Sequence, residues 1–355
     1  MKRIFFTAAC LTLLLGSCQK NENENAPKQQ EIAVDMSDFY VYTSEESTVK
    51  SAAEEHVHSA KCGSMQVLNR QLKENPGLEN RMYAIEKHTR QLIAAKSTGS
   101  TNKGKPGGGE TTPATPYQGS ITIPVIVNIL EDANHPVTQA HIDSQIDILN
   151  DDYNDLNPAT GAVPSEFNND VANVDITFVL AGVNRKTSSK TSWGTNDAMK
   201  LSSQGGIDAT DPSFYLNFWV CEIGGGILGY AQFPGGALAT DGVVIGSDYF
   251  GRNTSGGQYG YGRTATHEVG HWLNLRHIWG DGRCSQDDFV TDTPSSDRAN
   301  YGCPSYPTVH CKSNDQTMNY MDYVDDQCMY MFTNGQNDRI RAIFAAGGER
   351  ESFVQ

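Results

Sequence analysis

The chain has 355 residues, of which 38% are hydrophobic and 19% charged, with 27 basic against 42 acidic side chains and a net charge of −15. That length allows more than one domain, and the composition suits a soluble globular chain rather than a wholly disordered or membrane-embedded one. The acidic balance argues against a nucleic-acid partner, since it repels phosphate, and 34 glycines with 15 tyrosines favour loop-rich architecture over a helical bundle.

Residues 1–17 read as an export signal. Lys2 and Arg3 precede the apolar residues 4–15, too short to span a bilayer as a helix but long enough for a signal core. The run Leu15-Gly16-Ser17-Cys18 resembles a bacterial lipobox, which implies cleavage before Cys18 and a lipid on it. An ordinary signal peptide with an incidental cysteine is the alternative. The chain is therefore expected outside the cytoplasm, either as a cell-surface or outer-membrane lipoprotein or secreted after processing. A membrane contact is expected only through that lipid. Residues 18–50 are polar and read as a tether. In residues 51–96, Met65, Leu68 and Leu72, then Met82, Ile85, Leu92 and Ile93, recur at helical intervals, interrupted by Asn75-Pro76-Gly77. Residues 97–119 are a Gly, Ser, Thr and Pro linker from which no core can be built. A small helical unit joined by such a linker to a larger domain is the layout of a pro-segment.

The main domain is expected over residues 120–347, with 348–355 as a tail. Residues 121–129, 175–180, 215–220 and 242–245 read as strands. Thr138 caps a predicted helix with Ile142, Ile146, Leu149 and Tyr153 on one face. Residues 262–275 and 335–344 read as further helices. Strands and helices are mixed without strict alternation, which predicts an α+β domain. Cys221 reads as a small buried hydrophobe. The clustered Cys284, Cys303, Cys311 and Cys328 of an exported chain imply two disulfides, with three pairings open.

The chemistry lies in His267-Glu268-Val269-Gly270-His271. On a helix, residues i and i+4 share a face, so two imidazoles can bind one Zn²⁺ while Glu268 reaches a water beside it. His277 extends the run to H-E-x-x-H-x-x-x-x-x-H. A third ligand there requires the chain to turn sharply after Leu273, and Asn274 suits the left-handed conformation such a turn needs. Three imidazoles leave a fourth tetrahedral position for water, the composition of a catalytic zinc site.

With this motif, and with Asn319-Tyr320-Met321-Asp322-Tyr323 further on, the chain resembles the metzincin metallopeptidases, whose zinc helix is followed by a Met-turn. Residues 228–234 (LGYAQFP), 267–277 (HEVGHWLNLRH) and 319–333 (NYMDYVDDQCMYMFT) resemble the pappalysin family within that group. Asn274 departs from the family's usual glycine. The resemblance, covering residues 120–347, implies a mixed twisted sheet, a zinc helix and a Met-turn. Met321 would lie beneath the metal, and Tyr323 would hydrogen-bond the developing oxyanion while Glu268 serves as general base. It implies the pairings Cys284–Cys311 and Cys303–Cys328. It also implies a specificity role for Asp326 in the pocket after the scissile bond, favouring Arg and less strongly Lys. Asp288 and Asp292 become side-chain candidates for Ca²⁺, with an exposed acidic loop as the alternative. Cys62, whose thiolate is a strong zinc ligand, is a candidate for cysteine-switch latency. The function implied is an exported zinc endopeptidase made as a zymogen and acting on proteins or peptides. An inactive surface-binding protein on the same scaffold and a zinc amidase acting on cell-wall peptides are the alternatives.

Overall fold

The computed structural model describes residues 32–42, 62–99, 114–158 and 162–355. The signal residues, Cys18 and most of the expected linker lie outside the described residues, as do His56 and His58, two histidines near Cys62 that read as exposed rather than metal-binding. Two helices open the folded part, α1 (Ser64–Glu74) and α2 (Leu78–Gly99). They break at Asn75-Pro76-Gly77 as expected. The second runs three residues into the expected linker.

The five-stranded sheet consists of β1 (Ile121–Glu131), β2 (Ile176–Thr187), β3 (Leu216–Cys221), β4 (Gly229–Ala231) and β5 (Val243–Gly246), in the order β2-β1-β3-β5-β4. All pairings are parallel except the edge strand β4, which runs antiparallel to β5. Alternate residues of β1 (Ile121, Ile123, Val125, Val127, Ile129) are buried in the main core. The helix α3 (Gln139–Tyr153) starts at Thr138, whose hydroxyl accepts from His141 N as an N-cap. Its buried Ile142, Leu149 and Tyr153 lie in the same core as Ala265, Val269 and Trp272 of α4 (Arg263–Trp272). Tyr153 Oη donates to Thr266 O at 3.1 Å, and Thr266 Oγ1 to Asp152 Oδ2 at 2.7 Å, which locks α4 to α3. A last helix, α5 (Asn334–Ala342), starts at a Thr333–Gln336 capping box.

Beyond α4 the chain is mostly loop, stapled by Cys284–Cys311 and Cys303–Cys328, the pairing that the resemblance implies. Cys221 is fully buried, as expected.

Three expected boundaries move. Residues 32–42, assigned to a polar tether, lie against the domain, with Val41 buried and Phe39 beside Phe289. At the linker's end, Arg341 donates to the carbonyls of Tyr117 and Gly119, both at 3.0 Å. The expected tail 348–355 is part of the domain. Arg350 is 3% exposed, forms a two-armed ion pair with Asp241 at 2.5 and 2.9 Å and stacks over Trp272 at 3.9 Å. A polar composition suggested solvent for all three, but partners far away in the chain bury them.

Candidate active site

The helix α4 carries His267 and His271 on one face. It ends at Leu273, and Asn274 takes the left-handed conformation (φ 74°) that returns Leu275 N to Gly270 O at 2.9 Å. The reversal brings His277 to the other two. His271 Nε2 lies 3.2 Å from both His267 Nε2 and His277 Nε2.

The opposite ring nitrogens fix the tautomers. His267 Nδ1 faces the Tyr320 carbonyl at 2.7 Å and His271 Nδ1 the Leu275 carbonyl at 2.8 Å. A carbonyl only accepts, so both Nδ1 atoms carry hydrogen. His277 Nδ1 faces the Asp281 carboxylate at 2.5 Å. The Nε2 lone pairs therefore converge on one point. Burial, with the neighbouring imidazoles, pushes His267 down to about 3 and His271 well below its usual value, so both rings stay neutral. Converging lone pairs repel unless a cation lies between them. Their separation matches the roughly 3.3 Å edge of a tetrahedron built on Zn–N bonds of about 2.0–2.1 Å. The donor set fits zinc.

Met321 packs against this helix. A Cβ at Gly270 would meet its sulfur at 2.5 Å, so a larger residue there would make the methionine side chain shift. Trp279 stacks on the His277 ring at 4.3 Å, and the Tyr323 ring centre lies 4.9 Å from that of His277. Glu268 is 1% exposed, and burial pushes its carboxyl up to about 8, against the hydrogen bonds from Ser64 and Cys62.

Cys62 reaches this centre from outside the domain. Its sulfur and the ligand atoms of the three histidines lie within 4.8 Å of one another. It bridges Gly229 of β4 in parallel, Gly63 N donates to Gly229 O at 2.8 Å, and Ser64 Oγ donates to Glu268 Oε2 at 2.7 Å.

Asp326 is buried in the cleft wall with Arg263, His267, Glu268, Tyr323 and Met329. Its Oδ2 accepts from the Tyr261 and Arg263 amides at 2.9 and 3.2 Å, and burial pushes its carboxyl up to about 6. The alternative of an exposed acidic loop at Asp288 and Asp292 does not hold for Asp288, which is 1% exposed and bonded to Thr293 Oγ1 at 2.8 Å and Val290 N at 3.1 Å. Asp292 turns elsewhere, to Thr333 Oγ1 at 2.7 Å and Gly335 N at 2.8 Å.

Sequence reasoning passed over Asp281, Trp279 and Ser64. Asp281 lies four residues after His277, and a carboxylate so close to a ligand histidine was a readable signal. Ser64 had none, because its partner lies in another part of the chain.

A buried three-imidazole cluster on a helix and its reversing turn, with a glutamate beside the first ligand and a methionine packed against the helix, defines a metalloendopeptidase of the metzincin type. The model of peptidase family M43, described as pregnancy-associated plasma protein-A, matches residues 203–345. An extracellular metalloprotease of Pyricularia oryzae is 32% identical over 239 residues, 64% of this chain and 76% of the relative. Mature mirolysin of Tannerella forsythia, solved with a cleaved peptide, is 41% identical, with a TM-score of 0.64 over 66% of this chain and 96% of its own. Promirolysin of that organism is 35% identical, with a TM-score of 0.71 over 83% of this chain and 97% of its own. The chain belongs to the pappalysin family of zinc metallopeptidases, and the names of its relatives support export and synthesis as a zymogen.

Proposed function

We propose that this chain is an exported zinc endopeptidase kept latent by residues 32–99, with Cys62 over the metal, and that it cuts before Arg or Lys. The observation that carries the proposal is the Cys62 sulfur within 4.8 Å of the ligand nitrogens of all three histidines. The wider match to the pro-form than to the mature form agrees with it.

His267, His271 and His277 would hold the zinc, which supplies a Lewis acid and lowers the pKa of water. Glu268 sits beside the first ligand. Departure of residues 62–64 removes its hydrogen bonds from Ser64 and Cys62 and turns it to the cleft. There it takes the proton of the attacking water and passes it to the leaving amine. Tyr323 donates to the developing oxyanion. The Gly229 carbonyl and Ala231 amide, now engaged by Gly63 and Ser64, become free to pair an extended substrate along the edge strand.

Asp326 selects the residue after the scissile bond. One carboxylate oxygen is held by two amides, and the buried charge is relieved by a guanidinium more fully than by a neutral side chain. Ca²⁺ binding at the loop of Asp288 is part of the same proposal, without Asp292, whose two oxygens are taken by Thr333 and Gly335. Asp288 is held well above the usual carboxyl range by burial and by neighbouring Asp287, a strain that a divalent cation would relieve. Lipid attachment at Cys18 rests on the lipobox alone.

The test is mass-spectrometric mapping of a peptide library cut by the chain trimmed to the domain. Cuts before Arg and Lys that vanish in Glu268→Ala support the assignment. In Asp326→Asn, kcat/KM for Arg substrates should fall about tenfold or more, the scale of a lost charged hydrogen bond. A preference unchanged in that variant would remove Asp326 from the account. Calcium should raise the melting temperature of the trimmed chain but not of its Asp288→Asn variant.

A further inference from the structure

The residues before 100 touch the metal centre's surroundings a second time, at the turn that carries His277. The third imidazole is presented by residues 274–281, a turn with a left-handed start and no regular structure after it. Two arginines brace that turn, and both find partners in residues 32–99. Arg276 stacks over the Tyr40 ring at 4.5 Å and donates to Tyr40 O at 2.5 Å. The Tyr40 hydroxyl reaches the carbonyls of Gly280 and Asp287, and Gly280 adjoins Asp281, the carboxylate that orients His277. Arg339 on α5 reaches the Asn274 carbonyl at 3.4 Å, while its two arms are held by Glu86 of α2 at 3.1 and 2.8 Å. Arg90 joins the two braces, bonding Glu86 at 2.7 Å and Asp38 at 2.6 Å. Arg90, Arg276 and Arg339 all stand over Phe289, at 4.8, 4.7 and 5.7 Å, and Phe289 itself is held at a strained φ of 65°.

We propose that Tyr40 and Glu86 form a second lock, separate from Cys62, that holds the turn presenting His277 and so retains the metal in the latent chain. This rests on reading the three histidines as the zinc site and residues 32–99 as the pro-segment. The physical case is one of charge and strain. Without Glu86, Arg90, Arg276 and Arg339 share one aromatic ring as like charges, and Arg339 loses the carboxylate that holds it beside the Asn274 carbonyl. Tyr40 and Glu86 touch no metal ligand. They act through Arg276, Arg339 and the Gly280 carbonyl, and are positioning residues.

The experiment uses the full proenzyme, with Tyr40→Phe, Glu86→Gln and their double variant, against Cys62→Ser and Lys96→Ala. Lys96 pairs only at the surface, with Asp338 at 2.5 Å, and controls for loosened docking of α2 away from the turn. Two quantities are read: the rate of zinc transfer to a chromogenic chelator, and the thiolate-to-cobalt charge-transfer band of the Co²⁺-substituted chain. The double variant should release zinc severalfold faster, below the roughly tenfold or greater effect of losing a direct outer partner of a metal ligand. Each single variant should release it to a smaller degree, and the cobalt band should persist. Lys96→Ala should match the parent. Release at the parent rate in both single variants and the double would overturn the second lock. If the double variant does not fold, the two single ones decide. A parent chain with no thiolate band refutes the Cys62 assignment, while the release rates still judge the lock; failure of the parent to bind zinc sinks both.

Discussion

The two halves of the metal centre are built differently. His267 and His271 stand on a helix buried on almost every side, so their spacing follows from helical geometry alone. His277 hangs from a left-handed turn, and its placement depends on Asp281, Trp279 and two arginines that reach across the molecule. The helical half needs only local sequence to form. The turn half needs tertiary partners, and residues 32–42 and 62–99 supply some of them.

The helical half is also where a single change should cost most. Glu268→Gln should lower kcat by about a thousandfold or more while the zinc content stays at one per chain, because it removes the general base and no ligand. Loss of zinc in that variant would mean that Glu268 shapes the site instead.

Acid should act on the other half through Glu86. Burial works to raise its carboxyl, but Arg339 and Arg90 outweigh burial and hold it at about 2, below the ordinary 4.5. A depressed folded-state value gives stability that is present above about pH 4.5 and is lost as the pH falls toward 2, on the order of 3 kcal/mol. A chain nicked in the 100–113 segment should therefore release residues 32–99 in that window, by size-exclusion chromatography. Glu86→Gln should already be weakened at pH 7 and should show a flatter acid transition.

Asp281→Asn should lower zinc affinity about 10- to 100-fold, since the carboxylate orients His277. Competition with a chelator reads this, and an unchanged affinity would place the hold on His277 entirely in Trp279 and the turn. Asn274→Val forces a β-branched residue into φ 74° and should cost about 1–2 kcal/mol in thermal unfolding. Asn274→Gly should be tolerated, and equal behaviour of the two would show that the turn is not under conformational constraint.

The same division explains what the sequence made legible. The zinc helix, the cap at Thr138, the apolar run of β1 and the break at Asn75-Pro76-Gly77 are local signals, and each appears where expected. The left-handed turn was readable from Asn274 because a third histidine demanded it. The edge strand β4 was not, since three residues carry no period. The packing of residues 32–42, the burial of Arg350 and the Glu86–Arg339 pair were hidden, because each joins residues that are distant in sequence. Polar composition alone then reads as solvent-exposed tether or tail.

The most direct test of the account compares the intact chain with one trimmed of residues before 114, measuring zinc content and peptide cleavage on the same samples. The expected result is one zinc in each, with cleavage only after trimming, before Arg or Lys, and abolished by chelation. A trimmed chain that holds its zinc and cuts no peptide would contradict the enzyme on which the whole account rests.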